Sequence, residues 1–371
     1  MAEVRGRLES LVMSADFWRG KRVFLTGHTG FKGGWMALWL EQMGADVSGY
    51  SLPPATEHNF FEVARLSRAD EHFADLADRE ALGSAIRAHK PDIVIHAAAQ
   101  ALVLPSYKEP VETFATNVMG TVHVLDAIHA LNEKHGGKVR VIVNVTSDKC
   151  YENKETPRGY REDAPMGGHD PYSASKGAAE LVTSAYRNSF FSKAGVRLAS
   201  VRAGNVIGGG DWSEARLVPD IFRAFARGEK VHLRHPKAVR AWQHVLDPVR
   251  GYLMLAERLW ADDGMKFADG WNFGPPPEEI HDVETVTKMF AKRWGSGAGF
   301  DVEKDAAAPH EAGLLLLDSA RANERLGWKP RLSFEQSLEW TTDWYRAFYE
   351  GKNDMRAFSL SQIERFAAGA V

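Results

Sequence analysis

Short, almost wholly apolar runs alternate with longer stretches of helical periodicity over the first two hundred residues or so, and few folds accommodate that pattern. RVFLTG (22–27), DVSGYSL (46–52), DIVIHAA (92–98), VRVIVNVTS (139–147) and VRLASVRAG (196–204) read as strands. Residues 35–43, 78–89, 111–129 and 172–191 between them read as helices. A strand that is apolar throughout, not only at alternate positions, has to be covered on both faces. That is the condition of a parallel sheet flanked by helices. The expected fold is a doubly wound α/β sheet. After Gly204 the texture changes: a helix is expected over 217–227 with Pro219 in its first turn, then a proline cluster at 275–277 and a glycine-rich link at 295–299. We expect a nucleotide-binding domain over 18–204, rejoined by 241–274, and a smaller substrate-binding domain built from 205–240 and 275–365. Residues 340–348 read as a terminal amphipathic helix.

Charge removes several functions. The 371 residues carry 46 Lys and Arg against 49 Asp and Glu, a formal charge of −3, which gives no global attraction to nucleic acid or anionic membrane. Arg216, Arg223, Arg227, Arg234 and Lys237 are spaced irregularly and lack a stacking aromatic motif, so no nucleic-acid partner is expected. The longest apolar stretch, 93–104, is broken by His96 and Gln100 and is too short to span a bilayer. MAEVRGRLESLVMS has no apolar signal segment, and the expected location is the cytoplasm. A single cysteine, Cys150, precludes an intrachain disulfide. His28, His96 and His123 lack metal-ligand spacing, and no metal is expected.

Gly27, Gly30 and Gly33 stand between the first strand and the first helix, in TGHTGFKGGW. Small residues there let backbone N–H groups approach a pyrophosphate at a helix N-terminus. A GK[ST] phosphate loop is a poorer fit, because Lys32 precedes Gly33. The acid that normally grips an adenosine ribose is absent: about 18 residues past Gly33 the chain offers Tyr50 and Ser51, with no arginine beside them.

Tyr172 and Lys176, four apart at the start of a helix, share one face. An ammonium there is expected to lower the phenol toward neutrality, so that it can take a hydroxyl proton. Ser147, Asp148 and Lys149 leave the fourth strand at its C-terminal end, where open parallel sheets place their ligands.

The GxxGxxG loop together with YxxxK resembles the short-chain dehydrogenase/reductase superfamily and its Rossmann fold. GHTGFKGGW, HAAAQ, TSDKCYEN, PYSASK, RAGNVIGGGDW, VRAWQHVLD and WNFGP narrow the resemblance to its extended members acting on nucleotide sugars. Within them the chain is similar to the CDP-glucose 4,6-dehydratases, whose strand-end dipeptide is Asp-Lys where other 4,6-dehydratases carry Asp-Glu. The resemblance implies bound NAD and CDP-glucose as substrate. It implies oxidation at C4 with Tyr172 as base, assisted by Lys176 and Ser147. Water is then eliminated across C5 and C6 by Lys149 as base and Asp148 as acid, and C6 is reduced. It also implies cofactor contacts from Gly27, His28, Thr29, Gly30, Phe31, Lys32, Gly33, Asp75, Leu76, Ala97, Ala98, Tyr172 and Lys176. Substrate contacts fall to Gln100, Asn205 and Arg240, the last through the diphosphate. A lysine base needs burial or neighbouring cations to lose its proton near neutral pH. Gln243, His244 and Asp247 are candidate supports for the pocket, and Trp212 a candidate lining residue. A homo-oligomer, dimer or tetramer, is expected through the helices at 111–129 and 172–191. A 4-epimerase would share Ser147, Tyr172 and Lys176 without needing Asp148-Lys149. A non-catalytic dinucleotide sensor on the same fold would be expected to lack the Tyr or the Lys.

Overall fold

The computed structural model describes residues 14–66, 70–276, 279–295, 297–302, 313–351 and 353–370. The reading of the N-terminus rests on residues 1–13, outside that set, as do Pro277 of the proline cluster and Ser296 of the glycine-rich link.

Strands β1 (Arg22–Thr26), β2 (Asp46–Ser51), β3 (Glu71–Phe73), β4 (Ile93–His96), β5 (Val141–Val145) and β6 (Arg197–Ala203) come first. The short β7 (Asn205–Ile207), β8 (Val231–Leu233) and β9 (Val239–His244) follow, then β10 (Gly270–Phe273), β11 (Ile280–Asp282) and β12 (Phe300–Val302). Seven of them form one parallel sheet in the order β3-β2-β1-β4-β5-β6-β10. Strand order reverses between β1 and β4, and such a switch point opens a crevice beyond the strand C-termini. β7, β9 and β11 make a small sheet, and β8 pairs with β12.

The long helices are α1 (Phe31–Gln42), α2 (Arg79–His89), α3 (Gly120–Lys134), α4 (Pro171–Tyr186), α5 (Leu217–Ala226), α6 (Leu246–Trp260), α7 (Val283–Trp294), α8 (Phe334–Tyr349) and α9 (Met355–Ala367). Alternate strand residues feed two separate cores. Phe24, Val94, Ile142 and Leu198 join Leu82 and Ile86 of α2 and Leu125 and Ile128 of α3. Val23, Leu25, Ile95 and Val143 join Trp35, Leu38 and Trp39 of α1 and Leu253 and Leu255 of α6. Both faces are thus covered, as continuous apolar strands demand.

Several expectations are adjusted. The first helix begins at Phe31, four residues before the apolar periodicity starts, because Gly30 caps it. The segment expected as one helix over 111–129 is Pro110–Phe114, a wider π turn at Ala115–Met119, and α3. β3 and β10 were not foreseen. Residues 340–348 are not terminal: α9 follows and packs on α1, where Arg356 donates to Glu41 at 2.5 Å and the Phe366 and Trp39 rings lie 5.7 Å apart. No helix among the described residues is long and apolar enough to cross a membrane.

Candidate active site

The chain leaves β1 and turns at Gly27, whose φ of +77° favours glycine. A Cβ on Gly27 would sit 2.6 Å from the Ala98 nitrogen, and one on Gly33 only 2.0 Å from the Gly27 oxygen. No side chain fits at either position. The free N–H groups of the first turn of α1 therefore face a cavity of about 610 Å³ at the switch point, a volume suited to a small-molecule ligand. The cradle, sized for backbone approach and sited at a helix N-terminus, fits a dinucleotide pyrophosphate. Gly27, Thr29, Gly30, Phe31, Lys32, Gly33, Asp75, Leu76, Ala97 and Ala98 all line the cavity. Ser51 lines it too, its hydroxyl 2.7 Å from that of Thr29. His28 does not: its ring is buried against Gly49, where a Cβ would meet it at 2.6 Å, and stacks on Phe73. That packing turns the His28 ring away from the cavity.

The strand-end cluster lies across the cavity. Ser147 caps a single turn, Asp148–Cys150, accepting from the Lys149 nitrogen at 3.2 Å and donating to Asp148 Oδ1 at 2.9 Å. Ser147, Asp148, Lys149, Tyr172 and Lys176 all line the cavity; Lys149 is half-buried and the other four are buried. α4 brings in Tyr172 and Lys176, started by Asp170, which accepts from the Ser173 nitrogen at 2.9 Å. Asn117, in the π segment, donates to Ser175 at 2.8 Å and ties that wall to α4.

Burial sets the charges here. It pushes Lys176 down to about 8 and raises the Asp148 carboxyl, favouring the acid form. It also pushes Tyr172 up to about 12, against the lowering effects of a Ser147 hydrogen bond and the Arg216 charge. The expected lowering of Tyr172 by Lys176 is therefore not achieved by the protein alone. The ammonium lies 5.9 Å from the ring centroid, and desolvation of the phenolate outweighs it.

Beneath the cluster, one turn past Lys176, Glu180 accepts from Thr146 (2.5 Å), Ser200 (2.7 Å) and both Nε (2.8 Å) and Nη2 (2.7 Å) of Arg202. Arg202 also donates to Tyr151 at 2.5 Å, and Tyr151 to Asn272 at 2.8 Å. This buried network clamps α4 to β5, β6 and β10. Sequence reasoning missed it, because none of its members lies in a recognisable motif with its partner.

Asn205 and Arg240 line the far end of the cavity, where Arg240 Nη1 donates to the Val239 and Gly313 carbonyls. Gln100 does not line it. Its amide is spent on Leu102 and Thr113, so it braces a loop. Arg216 and Arg234, read earlier only as part of an irregular basic set, do line the cavity; Arg216 pairs with Asp211 at 3.1 Å. Gln243 and Asp247 serve the framework, donating to Phe273 and accepting from the Arg331 nitrogen respectively. His244 is fully buried and pushed down to about 3, a neutral core histidine. Trp212 packs among Trp344, Tyr345 and Phe348, away from the cavity. The charge-bearing acid–base residues and the glycine cradle share one cavity, as an enzyme handling a nucleotide requires.

Comparison with known proteins agrees. The GDP-mannose 4,6 dehydratase family profile matches residues 24–341. A CDP-glucose 4,6-dehydratase of Salmonella typhimurium is 49% identical over 361 residues, covering 96% of this chain and 98% of that protein. The solved UDP-glucose 4-epimerase of Thermus thermophilus in complex with NAD is 26% identical, with a TM-score of 0.73 over 88% of this chain and 99% of its own. An epimerase structure from Methanothermobacter thermautotrophicus shares the fold at a TM-score of 0.77 and 21% identity, over 92% of this chain and 96% of its own. With seven parallel strands, a glycine cradle and a Tyr-Lys helix beside an Asp-Lys strand end, the chain belongs to the GDP-mannose 4,6 dehydratase family.

Proposed function

We propose that this chain is an NAD-dependent lyase that converts CDP-glucose to CDP-4-dehydro-6-deoxyglucose and water. The observation that carries the reading is the strand-end turn, where Asp148 and Lys149 share a cavity wall with Ser147, Tyr172 and Lys176. Gly27, Gly30, Gly33 and the first turn of α1 would hold NAD, which would supply the hydride chemistry of oxidation at C4 and reduction at C6 with no net redox change. Tyr172 takes the proton of the 4-hydroxyl, and Ser147 and Lys176 orient that group. The C4 ketone acidifies C5–H. Lys149 removes that proton, the electron pair forms C5=C6, and Asp148 protonates the departing 6-hydroxyl. Asp148 is suited to this, since burial favours its protonated form. Asn205 and Arg240 face the nucleotide diphosphate, where a planar guanidinium matches phosphate geometry. Residues 205–240 and 275–365 form the part that holds the nucleotide sugar.

A 4-epimerase shares the oxidising residues but eliminates nothing, so Lys149 separates the two. Lys149→Met keeps an apolar stem and should disturb packing little. With C4-deuterated CDP-glucose, the native enzyme should carry deuterium to C6. The Met variant should oxidise C4, accumulate reduced cofactor and stall. A variant whose KM alone rises would make Lys149 a diphosphate contact, and release of a C4 epimer by the native enzyme would remove the dehydratase reading.

The enzyme works in the cytoplasm, where nucleotide sugars and NAD are available, and as a homo-oligomer. Val111 (82% exposed), Leu181 (63%), Phe114, Met119 and Phe190 leave apolar surface open on neighbouring elements of one flank. A second copy related by a two-fold axis would cover it. Joint Val111→Glu and Leu181→Glu substitution should halve the sedimenting mass of a dimer; an unchanged mass would place the contact elsewhere.

A further inference from the structure

The loop that enters α5 bridges two walls of the cavity. Arg216 stands at its end, directly before Leu217. Its Nη1 donates to Asp211 Oδ2 and its Nη2 to the Ala101 carbonyl, each at 3.1 Å. The Asp211 end is fixed. Asp211 is buried, its Oδ1 accepts from the Ser213 nitrogen at 2.9 Å, and its carbonyl accepts from the Tyr345 hydroxyl of α8. The next carbonyl, of Trp212, accepts from Arg223 at 2.8 Å. The Ala101 end lies at the exposed rim, on the loop between Gln100 and the short helix Val103–Lys108. That loop is itself tied to α4. Ser106 Oγ accepts from the Tyr172 nitrogen at 3.2 Å, and Asn117 joins the Gln100 backbone, at 2.9 and 3.0 Å, to Ser175. Both loops line the cavity. Ala215, immediately before Arg216, has a φ of +58°, a left-handed conformation that a residue with a side chain keeps only where its surroundings hold it.

We propose that the Asp211–Arg216–Ala101 bridge is a strap that keeps the oxidised sugar and the reduced cofactor in one closed cavity until the turnover is complete. This rests on the dehydratase reading. Oxidation at C4 sends the C4 hydrogen and two electrons to the cofactor and the hydroxyl proton to Tyr172. The electrons return only at C6, after water has left. A 4-keto sugar that escapes in between takes their acceptor with it, and the enzyme is left reduced and idle. Early release therefore costs this enzyme more than one whose cofactor leaves in every cycle. A bridge with one buried, ion-paired end and one end on a neutral carbonyl at the rim suits the task. The weaker bond opens for entry and exit, and the anchored one brings the guanidinium back. Arginine is the fitting residue, because the two ends of its planar fork engage two partners at once.

The test compares Arg216→Lys with Arg216→Met in the full-length enzyme, supplied with NAD and CDP-glucose. The Lys variant carries the retention arm, because it keeps the positive charge that acts on Tyr172 while losing the two-ended fork. Released sugar is trapped with borodeuteride and weighed by mass spectrometry, where an intact 6-hydroxyl separates escaped intermediate from product. Both variants should raise the ratio of intermediate to product about ten-fold or more, the scale set by losing a hydrogen bond from a charged group. Each should stall with one reduced cofactor per sugar lost, and fresh NAD should restart it. In the enzyme free of both ligands, hydrogen exchange over residues 99–106 should quicken in both variants. Release at the native ratio by the Lys variant overturns the proposal, whatever happens to its rate. So does a defect confined to KM, which would make Arg216 a diphosphate contact, and so does unchanged exchange over 99–106 in the ligand-free Met variant. If the native enzyme forms no 6-deoxy product, the dehydratase reading fails instead, and the ligand-free exchange then decides whether the strap exists.

Discussion

Tyr172→Phe should lower turnover by about 10²–10⁴-fold, the range for loss of a positioned acid–base group, while NAD binds almost as before. The phenol is buried and held neutral up to about 12, so deprotonation is a real barrier that bound substrate and cofactor must lower. Because the group acts only after losing its proton, the native rate should climb with pH up to the lowered value that the loaded site gives it. The Phe variant should lose this dependence along with the rate. Steady-state kinetics across pH, with a parallel cofactor titration, reads both. A Phe variant with near-native turnover would reassign the base, and one that fails only at NAD binding would make Tyr172 a cofactor contact.

Arg202→Met should be the most damaging single change to stability, at about 3–5 kcal/mol, because it strands the Glu180 carboxylate in the interior. Both members are only 4% exposed and their closest approach is 2.7 Å. Burial would by itself raise Glu180, yet the guanidinium and two hydroxyl donors hold its carboxyl below the ordinary value. Its stabilising contribution is thus present above the unfolded carboxylate range and is lost as pH falls through the depressed value. Thermal unfolding at neutral pH should show the drop, and pairing Arg202→Met with Glu180→Met should recover much of it, since two apolar side chains leave no orphaned charge. A double variant no better than the single one would assign the loss to packing alone. Activity should fall with stability, because this pair anchors the helix that carries Tyr172 and Lys176.

The parts legible in the sequence were those fixed by local physics. β1, β4 and β5 are apolar at consecutive positions, and that alone specifies a strand covered on both faces. The glycine loop, the strand-end cluster and the Tyr-Lys helix are each contiguous or nearly so. β3 has only three residues, and the polar Glu71-His72 hid it; β10 is a four-residue edge whose Gly and Asn argue against a strand. The start of α1 was misplaced because apolar periodicity marks where a helix touches the core, whereas Gly30 and the loop before it decide where the helix begins. His28 and Gln100 sit in the right motifs, yet their side chains turn away from the cavity, one into Gly49 and one into its own loop. The Glu180–Arg202 pair and the Arg216–Ala101 contact join residues 22 and 115 positions apart, and no spacing rule reaches across such gaps.

The packing of α9 on α1 reaches into how the protein is made. α1 belongs to the first nucleotide-binding unit to emerge from a ribosome, but Trp39 on its surface meets Phe366, and Glu41 meets Arg356, only when residues near 360 are available. The edge strand β10 likewise arrives after some 270 residues have been synthesised. Synthesis therefore passes through a long interval in which a nearly complete sheet carries an uncovered apolar helix, the state most open to aggregation and to capture by chaperones. Removing the last fifteen to twenty residues would do more than shorten a tail: it would leave the first unit permanently in that interval.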